Sequence, residues 1–294
     1  ILKSIGKLKE AEISTLKAIE FKSDYVEAYS NLGIILKNIG KIDEAEISLK
    51  KALKINPNLP STYINIGNIL LEKGKLIDAK NYYSKAIELN TNSSTAKSEL
   101  IRCKALICDW SNQNTEKNWL KTIGIKGSSV ETLNLLYVED NPLNQLKRSI
   151  KLNKEKYTRP HKQIKLMRKD KIHIGYFSCD FCDHPVMQLI APLLEQHNKS
   201  NFKIYLYSFV FNEDQYTQRA KRSGCIYWNI QELNEIEAVN LARNDKLDIA
   251  IDLMGYTKNN RFSIFSYRVA PIQINYLGYP GTSGSENTFD YIIA

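Results

Sequence analysis

Between residues 179 and 184 the chain reads Cys179-Asp180-Phe181-Cys182-Asp183-His184, and three kinds of chemistry could use that string. Two thiols in a CxxC can exchange disulfides or hold zinc. A carboxylate and an imidazole four residues apart can instead handle a proton, with Asp180 as base and His184 as a donor to a sugar or phosphate oxygen. The redox use lacks the Gly-Pro interior of thioredoxin-like motifs. The zinc use lacks a second ligand pair, since Cys225 and His161 are poorly placed, and no metal is expected. His184 followed by Pro185 could equally cap a helix that starts there. A second stretch, Leu277-Gly278-Tyr279-Pro280-Gly281-Thr282-Ser283-Gly284, carries three glycines. It is either a plain turn or a loop whose bare backbone lets a bulky polar ligand approach, with Thr282 and Ser283 as donors. No Gly-Lys-Ser/Thr follows, so it is not a Walker loop. A third stretch is Gly255-Tyr256-Thr257.

Each stretch follows a short apolar run rich in Ile, Val and Tyr. The runs are 171–178, 203–210, 226–228, 248–253, 272–277 and 290–293, with helical patterns between them such as 186–197, 233–243 and 262–267. Continuous apolar strands alternating with helices predict a parallel sheet covered on both faces. Ligands on such sheets bind outside the carboxyl ends of the strands, so all three stretches are expected along one rim.

The first part of the chain keeps a different period. Gly6-Lys7, Gly40-Lys41 and Gly74-Lys75 recur every 34 residues, as do Ala11, Ala45 and Ala79, and Ala18, Ala52 and Ala86. Tyr29 matches Tyr63, Leu32 matches Ile66, and Gly33 matches Gly67. Small residues at fixed positions let paired helices approach, and large ones fill the seams between hairpins. This pattern resembles the tetratricopeptide repeat, with Ser23 and Thr91 where proline is usual after Pro57. Asn31 and Asn65 hold the same position on the first helix of each unit. They are either tolerated polar residues on a solvated face or rungs that grip the backbone of an extended acceptor peptide. Residues 1–23 hold only the back half of a unit and no initiator Met, so the array is expected to extend further upstream.

A chain of 294 residues allows about two domains. The expected organisation is an array over 1–91, a helical connector over 92–170, and an α/β Rossmann-like lobe over 171–294. In the connector, 93–120 reads as helical, Asn141-Pro142 opens another helix, and Trp110 and Trp119 read as packing anchors between array and lobe. No apolar run is long enough to span a membrane, and no basic-then-apolar leader is visible; a cytoplasmic protein is expected. The five cysteines are odd in number and scattered, which suits free thiols. The net charge of +9 sits in one stretch: 147–171 holds eleven Lys or Arg against Glu155 and Asp170. Only Tyr157 interleaves there as an aromatic, so a solvated linker helix is expected rather than a nucleic-acid surface.

The strings 174–181, His184-Pro185, Gly255-Tyr256-Thr257, Arg268-Val269-Ala270-Pro271-Ile272-Gln273, 277–284 and Asp290-Tyr291-Ile292-Ile293 closely resemble the catalytic region of the O-linked N-acetylglucosaminyltransferases. Cys108-Asp109-Trp110 resembles the start of the segment that links repeats to catalysis in the same family. The resemblance implies the first lobe of a two-lobed GT-B glycosyltransferase. It implies inverting, metal-independent transfer of N-acetylglucosamine from UDP-GlcNAc to Ser or Thr hydroxyls, with no cofactor and with acceptor proteins or peptides held by the array. By position, Asp180 and His184 fall at the reaction centre with Pro185 and Leu189 beside them, Tyr256 and Thr257 nearby, and Leu277, Gly278, Pro280, Gly281 and Thr282 at the donor sugar. Thr132-Leu133 stands where the animal enzymes have a His pair, Val186 where they have Thr, and Cys182 is atypical. A second lobe is expected beyond Ala294, without which residues 1–294 are expected to be inactive. Two alternatives remain at this level. One is a GDP-fucose-dependent relative of the Spindly type, whose loop resembles Pro-Asn-Thr-Thr rather than Pro280-Gly281-Thr282-Ser283. The other is a non-catalytic peptide-binding scaffold.

Overall fold

The structure is a computed structural model that describes residues 8–159, 163–285 and 287–293; Gly6-Lys7, His161 and Ala294 lie outside the described residues. The chain divides into two compact units, 1–140 and 141–294.

The first unit is helical: α1 (Leu8–Phe21), α2 (Val26–Asn38), α3 (Ile42–Ile55), α4 (Pro60–Glu72), α5 (Leu76–Leu89), α6 (Ser94–Leu106), α7 (Gln113–Leu120) and α8 (Leu133–Leu136). Hairpins α2/α3 and α4/α5 turn at Gly40 and Gly74, whose φ values of 84° and 71° are left-handed. The small residues of the period do what their size allows. Ala45, Ala52, Ala79 and Ala86 have no exposed surface, and a Cβ on Gly33 or Gly67 would meet Leu49 Cγ at 2.5 Å or Tyr83 Cε1 at 2.6 Å. Leu32, Leu49, Ile66, Ile69 and Tyr83 fill the seams.

The helical stretch expected over 93–120 is broken between α6 and α7. Cys108 and Asn112 take left-handed φ values of 55° and 60°, which stops the helix without a glycine. Asp109 secures the break by accepting from Lys80 Nζ at 2.5 Å and from the Ser111 N–H at 3.0 Å. Buried Lys104 reaches the Ser111 carbonyl and Glu116. Trp110 is 52% exposed, and Trp119 packs within the first unit with Lys97 Nζ 5.1 Å from its ring centre.

The second unit opens with α9 (Pro142–Leu152), capped by the Asn141 side chain, which accepts from the Asn144 N–H at 3.0 Å. One π-helical turn, Asn153–Tyr157, follows. Arg148, Ser149 and Asn153 are buried here, so this part of the basic stretch is a packed element, not the solvated helix expected. Among the described residues six strands then form one parallel sheet: β1 (Ile172–Ser178), β2 (Phe202–Ser208), β3 (Ile226–Asn229), β4 (Ile249–Asp252), β5 (Ile272–Tyr276) and β6 (Tyr291–Ile293). Their order is β3-β2-β1-β4-β5-β6. Between them lie α10 (Pro185–Gln196), α11 (Gln215–Arg222), α12 (Glu235–Asn244) and α13 (Phe262–Ser266). One face of the sheet packs Ile174, Tyr176, Leu206 and Ile251 against Met187, Ile190 and Leu194 of α10. Phe177 stacks on Tyr207 at 4.3 Å between ring centres and meets Phe265 edge-on. No helix among the described residues is long and apolar enough to cross a membrane.

Candidate functional site

From β1 the chain builds the sheet outward through β2 and β3, then returns to add β4, β5 and β6 on the other side. The switch between β1 and β4 opens a crevice at their carboxyl ends. The three loop stretches follow β1, β4 and β5, which are neighbours, so they share one rim as expected.

The loop after β1 is built from its backbone outward. Buried Ser178 accepts the Asp180 N–H on Oγ at 2.8 Å and donates to Met254 Sδ at 3.3 Å, fixing the first loop against the second. Asp180 Oδ1 lies 3.2 Å from the Cys179 thiol, which donates to it, and Oδ2 lies 3.4 Å from His184 Nδ1. His184 is also the N-cap of α10, its Nδ1 accepting the Val186 N–H at 3.3 Å. Capping and functional readings of His184 are therefore compatible. An Nδ1 that accepts a backbone N–H leaves the ring proton of a neutral imidazole on Nε2, so the half-exposed edge of the ring is a donor. Pro185 opens α10 and is exposed, and Leu189 one turn on is 68% exposed.

The thiols are poor candidates for exchange. Burial pushes the Cys179 thiol far above its ordinary range and raises that of Cys182, which Asp214, Asp180 and Asp183 raise further. Neither is the thiolate that exchange requires. All five cysteines are free.

The second and third loops meet backbone to backbone. Gly255 is left-handed at φ 56°, and a Cβ there would lie 2.4 Å from Tyr279 Cβ. A Cβ on Gly278 would lie 1.9 Å from the Leu253 carbonyl oxygen, so only glycine fits. Its neighbour Leu277 is held at φ 69°, an uncommon conformation for a bulky residue and one that concentrates at ligand sites. Tyr256 is buried and its hydroxyl donates to the Ser283 carbonyl at 2.6 Å, with its ring stacked 4.6 Å from Phe262. This side chain is a strut between the loops, and a ligand would meet the loop it braces instead of its hydroxyl. Thr257 Oγ1 donates to the Met254 carbonyl at 3.0 Å. Gly281 lets the Tyr279 ring pass, since a Cβ there would sit 2.7 Å from it, while Pro280 is exposed. The loop's tail faces elsewhere: Thr282, Ser283 and Gly284 line a cavity of about 730 Å³ with Asn153 and Lys154, and neither Asp180 nor His184 borders it.

Sequence reasoning missed Asp252, the last residue of β4. Its Oδ1 accepts the Met254 N–H at 2.9 Å, and its Oδ2 accepts the Gly255 N–H at 3.0 Å and Asn275 Nδ2 at 3.3 Å. Burial pushes this carboxyl up to about 6 although those donors pull it down. The available signal was an acid closing an otherwise apolar strand. In the first unit, Asn31 on α2 is exposed and Asn65 on α4 is half-buried, at matching positions of consecutive hairpins.

Comparison with known proteins gives these features a context. Tetratricopeptide repeat models match residues 26–59 and 60–93. A relative from Oryza sativa subsp. japonica, named a probable UDP-N-acetylglucosamine--peptide N-acetylglucosaminyltransferase SPINDLY, is 39% identical over 124 residues, covering 41% of this chain and 13% of its own length. An Arabidopsis thaliana relative, a probable UDP-N-acetylglucosamine--peptide N-acetylglucosaminyltransferase SEC, is 32% identical over 124 residues, covering 42% of this chain and 13% of itself. The matched stretch is thus a small part of these relatives. A solved mutant of Thermobaculum terrenum O-GlcNAc transferase has the same fold, with a TM-score of 0.59 at 22% identity over 99% of this chain and 51% of that one. The glycosyl transferase family 41 model matches residues 143–294, just over half of the sequence and all three loops of the rim, and the chain belongs to that family.

Proposed function

We propose that the protein carrying this chain transfers N-acetylglucosamine from UDP-N-acetylglucosamine to Ser or Thr hydroxyls of proteins. The observation that carries the proposal is that Asp180 and His184 share the loop after β1 at the β1/β4 switch, with the carboxylate beside the imidazole and its Nε2 edge half-exposed, inside the family-matched stretch. The names of the relatives matched over this stretch support the donor and the peptide acceptor. In the proposed step the acceptor oxygen attacks the anomeric carbon, the bond from that carbon to the UDP oxygen breaks, and the configuration inverts. Asp180, an acceptor-only group when ionised, takes the hydroxyl proton. His184 donates from Nε2 to a sugar or phosphate oxygen and so favours the charge that develops on the leaving group. Pro185 and Leu189 border this centre, Tyr256 and Thr257 brace it, and the backbone of Leu277, Gly278, Pro280 and Gly281 receives the donor sugar, whereas Thr282, expected there from the sequence, lies on the separate cavity. No metal takes part in this reading.

Asp180→Asn and His184→Ala in the full-length protein should each lower transfer about 100-fold or more, as loss of a proton-transfer group does. Wild-type turnover by both would overturn the assignment. A panel of UDP- and GDP-sugars run with excess chelator tests the donor and the metal together. Turnover with UDP-N-acetylglucosamine under chelator is the expected result, and turnover with GDP-fucose alone would replace it by a fucosyltransferase.

A further inference from the structure

Asp183 stands immediately before His184, and its backbone N–H is held by a residue from another loop. Asp214, after β2, is the N-cap of α11: its Oδ1 accepts the Tyr216 N–H at 2.8 Å and the Thr217 N–H at 2.9 Å. Its own N–H donates to Thr217 Oγ1 at 3.2 Å, completing a capping box. One oxygen would suffice for that cap. The second, Oδ2, accepts the Asp183 N–H at 2.5 Å. Asp183 in turn accepts from Gln188 Nε2 of α10 at 3.1 Å. A single carboxylate thus joins the start of α11 to the residue that leads into the α10 cap. Burial would raise the Asp214 carboxyl, but the N–H bonds from Thr217, Asp183 and Tyr216 hold it below its ordinary range.

We infer that Asp214 is a positioning residue for the reaction centre. It fixes the Asp183 backbone, and through it sets where the His184 ring lies relative to Asp180. This inference rests on the transfer reading above for its consequence, but its geometry is independent of it. A side chain anchored only by its own cap could swing with the loop. With the preceding N–H fastened to a second helix, the backbone that carries the ring is held in place against Asp180. Misplacing a reacting group by about 1 Å costs on the order of 100-fold in rate.

The two oxygens can be separated by mutation. Asn caps helices as well as Asp, so Asp214→Asn keeps an acceptor for Tyr216 and Thr217 but turns an NH₂ group towards the Asp183 N–H. Asp214→Ser also caps, with no second atom to reach Asp183. Thr217→Val is the opposite control, removing the capping-box hydroxyl while leaving the Asp214–Asp183 bond. In the isolated chain, hydrogen exchange of the Asp183 amide should quicken tenfold or more in both Asp214 variants and stay unchanged in Thr217→Val. In the full-length protein, kcat should fall about 10- to 100-fold in both Asp214 variants with the KM for the donor within twofold. Thr217→Val should lower the melting temperature without that loss of kcat. Wild-type kcat or unchanged Asp183 exchange in Asp214→Ser would overturn the inference, as would an equal kcat loss in Thr217→Val. Asp180→Asn and His184→Ala are run beside them: wild-type turnover in both would instead overturn the transfer reading and, with it, the catalytic meaning of Asp214.

Discussion

Asp252 shows how a residue can matter to a site without facing a substrate. Its carboxylate gathers the Met254 and Gly255 N–H groups and Asn275, so it shapes the loop that Tyr256 then braces. Burial raises its carboxyl to about 6, above an unfolded value of about 3.9. The folded state therefore binds this proton more tightly than the unfolded state. The resulting stability is fully present below about pH 4 and is lost as pH rises through about 6. Asp252→Asn should flatten that part of the curve, changing the difference from wild type by roughly 1 kcal/mol per pH unit between those values. Urea unfolding at pH 4, 5, 6 and 7 checks this, and parallel curves for the two proteins would refute it. At this scale the sequence showed the chemistry-bearing types but not their surroundings. Asp180 and His184 stand out because a short motif isolates them, whereas Asp252 hides at the end of an apolar run and Asp214 in a polar loop.

Elements were more legible than residues where their pattern is redundant. Apolar runs marked the six strands described, with ends shifted by a residue or two; β1, β2 and β4 carry continuous buried runs because they are covered on both faces, while the edge strands β3 and β6 keep apolar residues that are partly or fully exposed. The stop between α6 and α7 was not legible, since Cys108 and Asn112 adopt left-handed backbone where glycine would normally announce it. Helix α11, Gln215–Arg222, offers only a short apolar pair, Tyr216 and Ala220 one turn apart, so its plainest mark is the Asp214–Thr217 cap. Glycines separate into two classes that predict different costs. Gly40 and Gly74 meet nothing within 4 Å of an added Cβ, so Gly40→Ala bears only left-handed strain, about 1 to 2 kcal/mol. Gly278→Ala would press a methyl into the Leu253 carbonyl and force two loops apart, costing about 3 kcal/mol. Denaturant midpoints of the two variants should rank in that order; equal midpoints would mean that the rim does not pack as described.

At the level of the whole molecule, a repeat array and an α/β lobe share one chain. Asn31 and Asn65 give the array a polar pair at matching positions of α2 and α4, which on the rung reading would hold an acceptor's backbone. Losing two such hydrogen bonds, at about 1 kcal/mol each, should raise the KM for protein acceptors roughly 10- to 30-fold in the Asn31→Ala, Asn65→Ala double variant. The kcat and the donor KM should not move, and steady-state kinetics with varied acceptor would expose a contrary result. The strand order has a consequence in time. The array's hairpins close within one 34-residue repeat, from neighbours in sequence. Ile174 of β1 finds its β4 partner at Ile249, about 75 residues later, and without that pairing the β1/β4 crevice does not exist. Local contacts form faster than distant ones, and a ribosome delivers the chain from its amino end. During synthesis the repeats are folded while the crevice is still half a sheet, so the surface that would hold an acceptor precedes the chemistry it would serve.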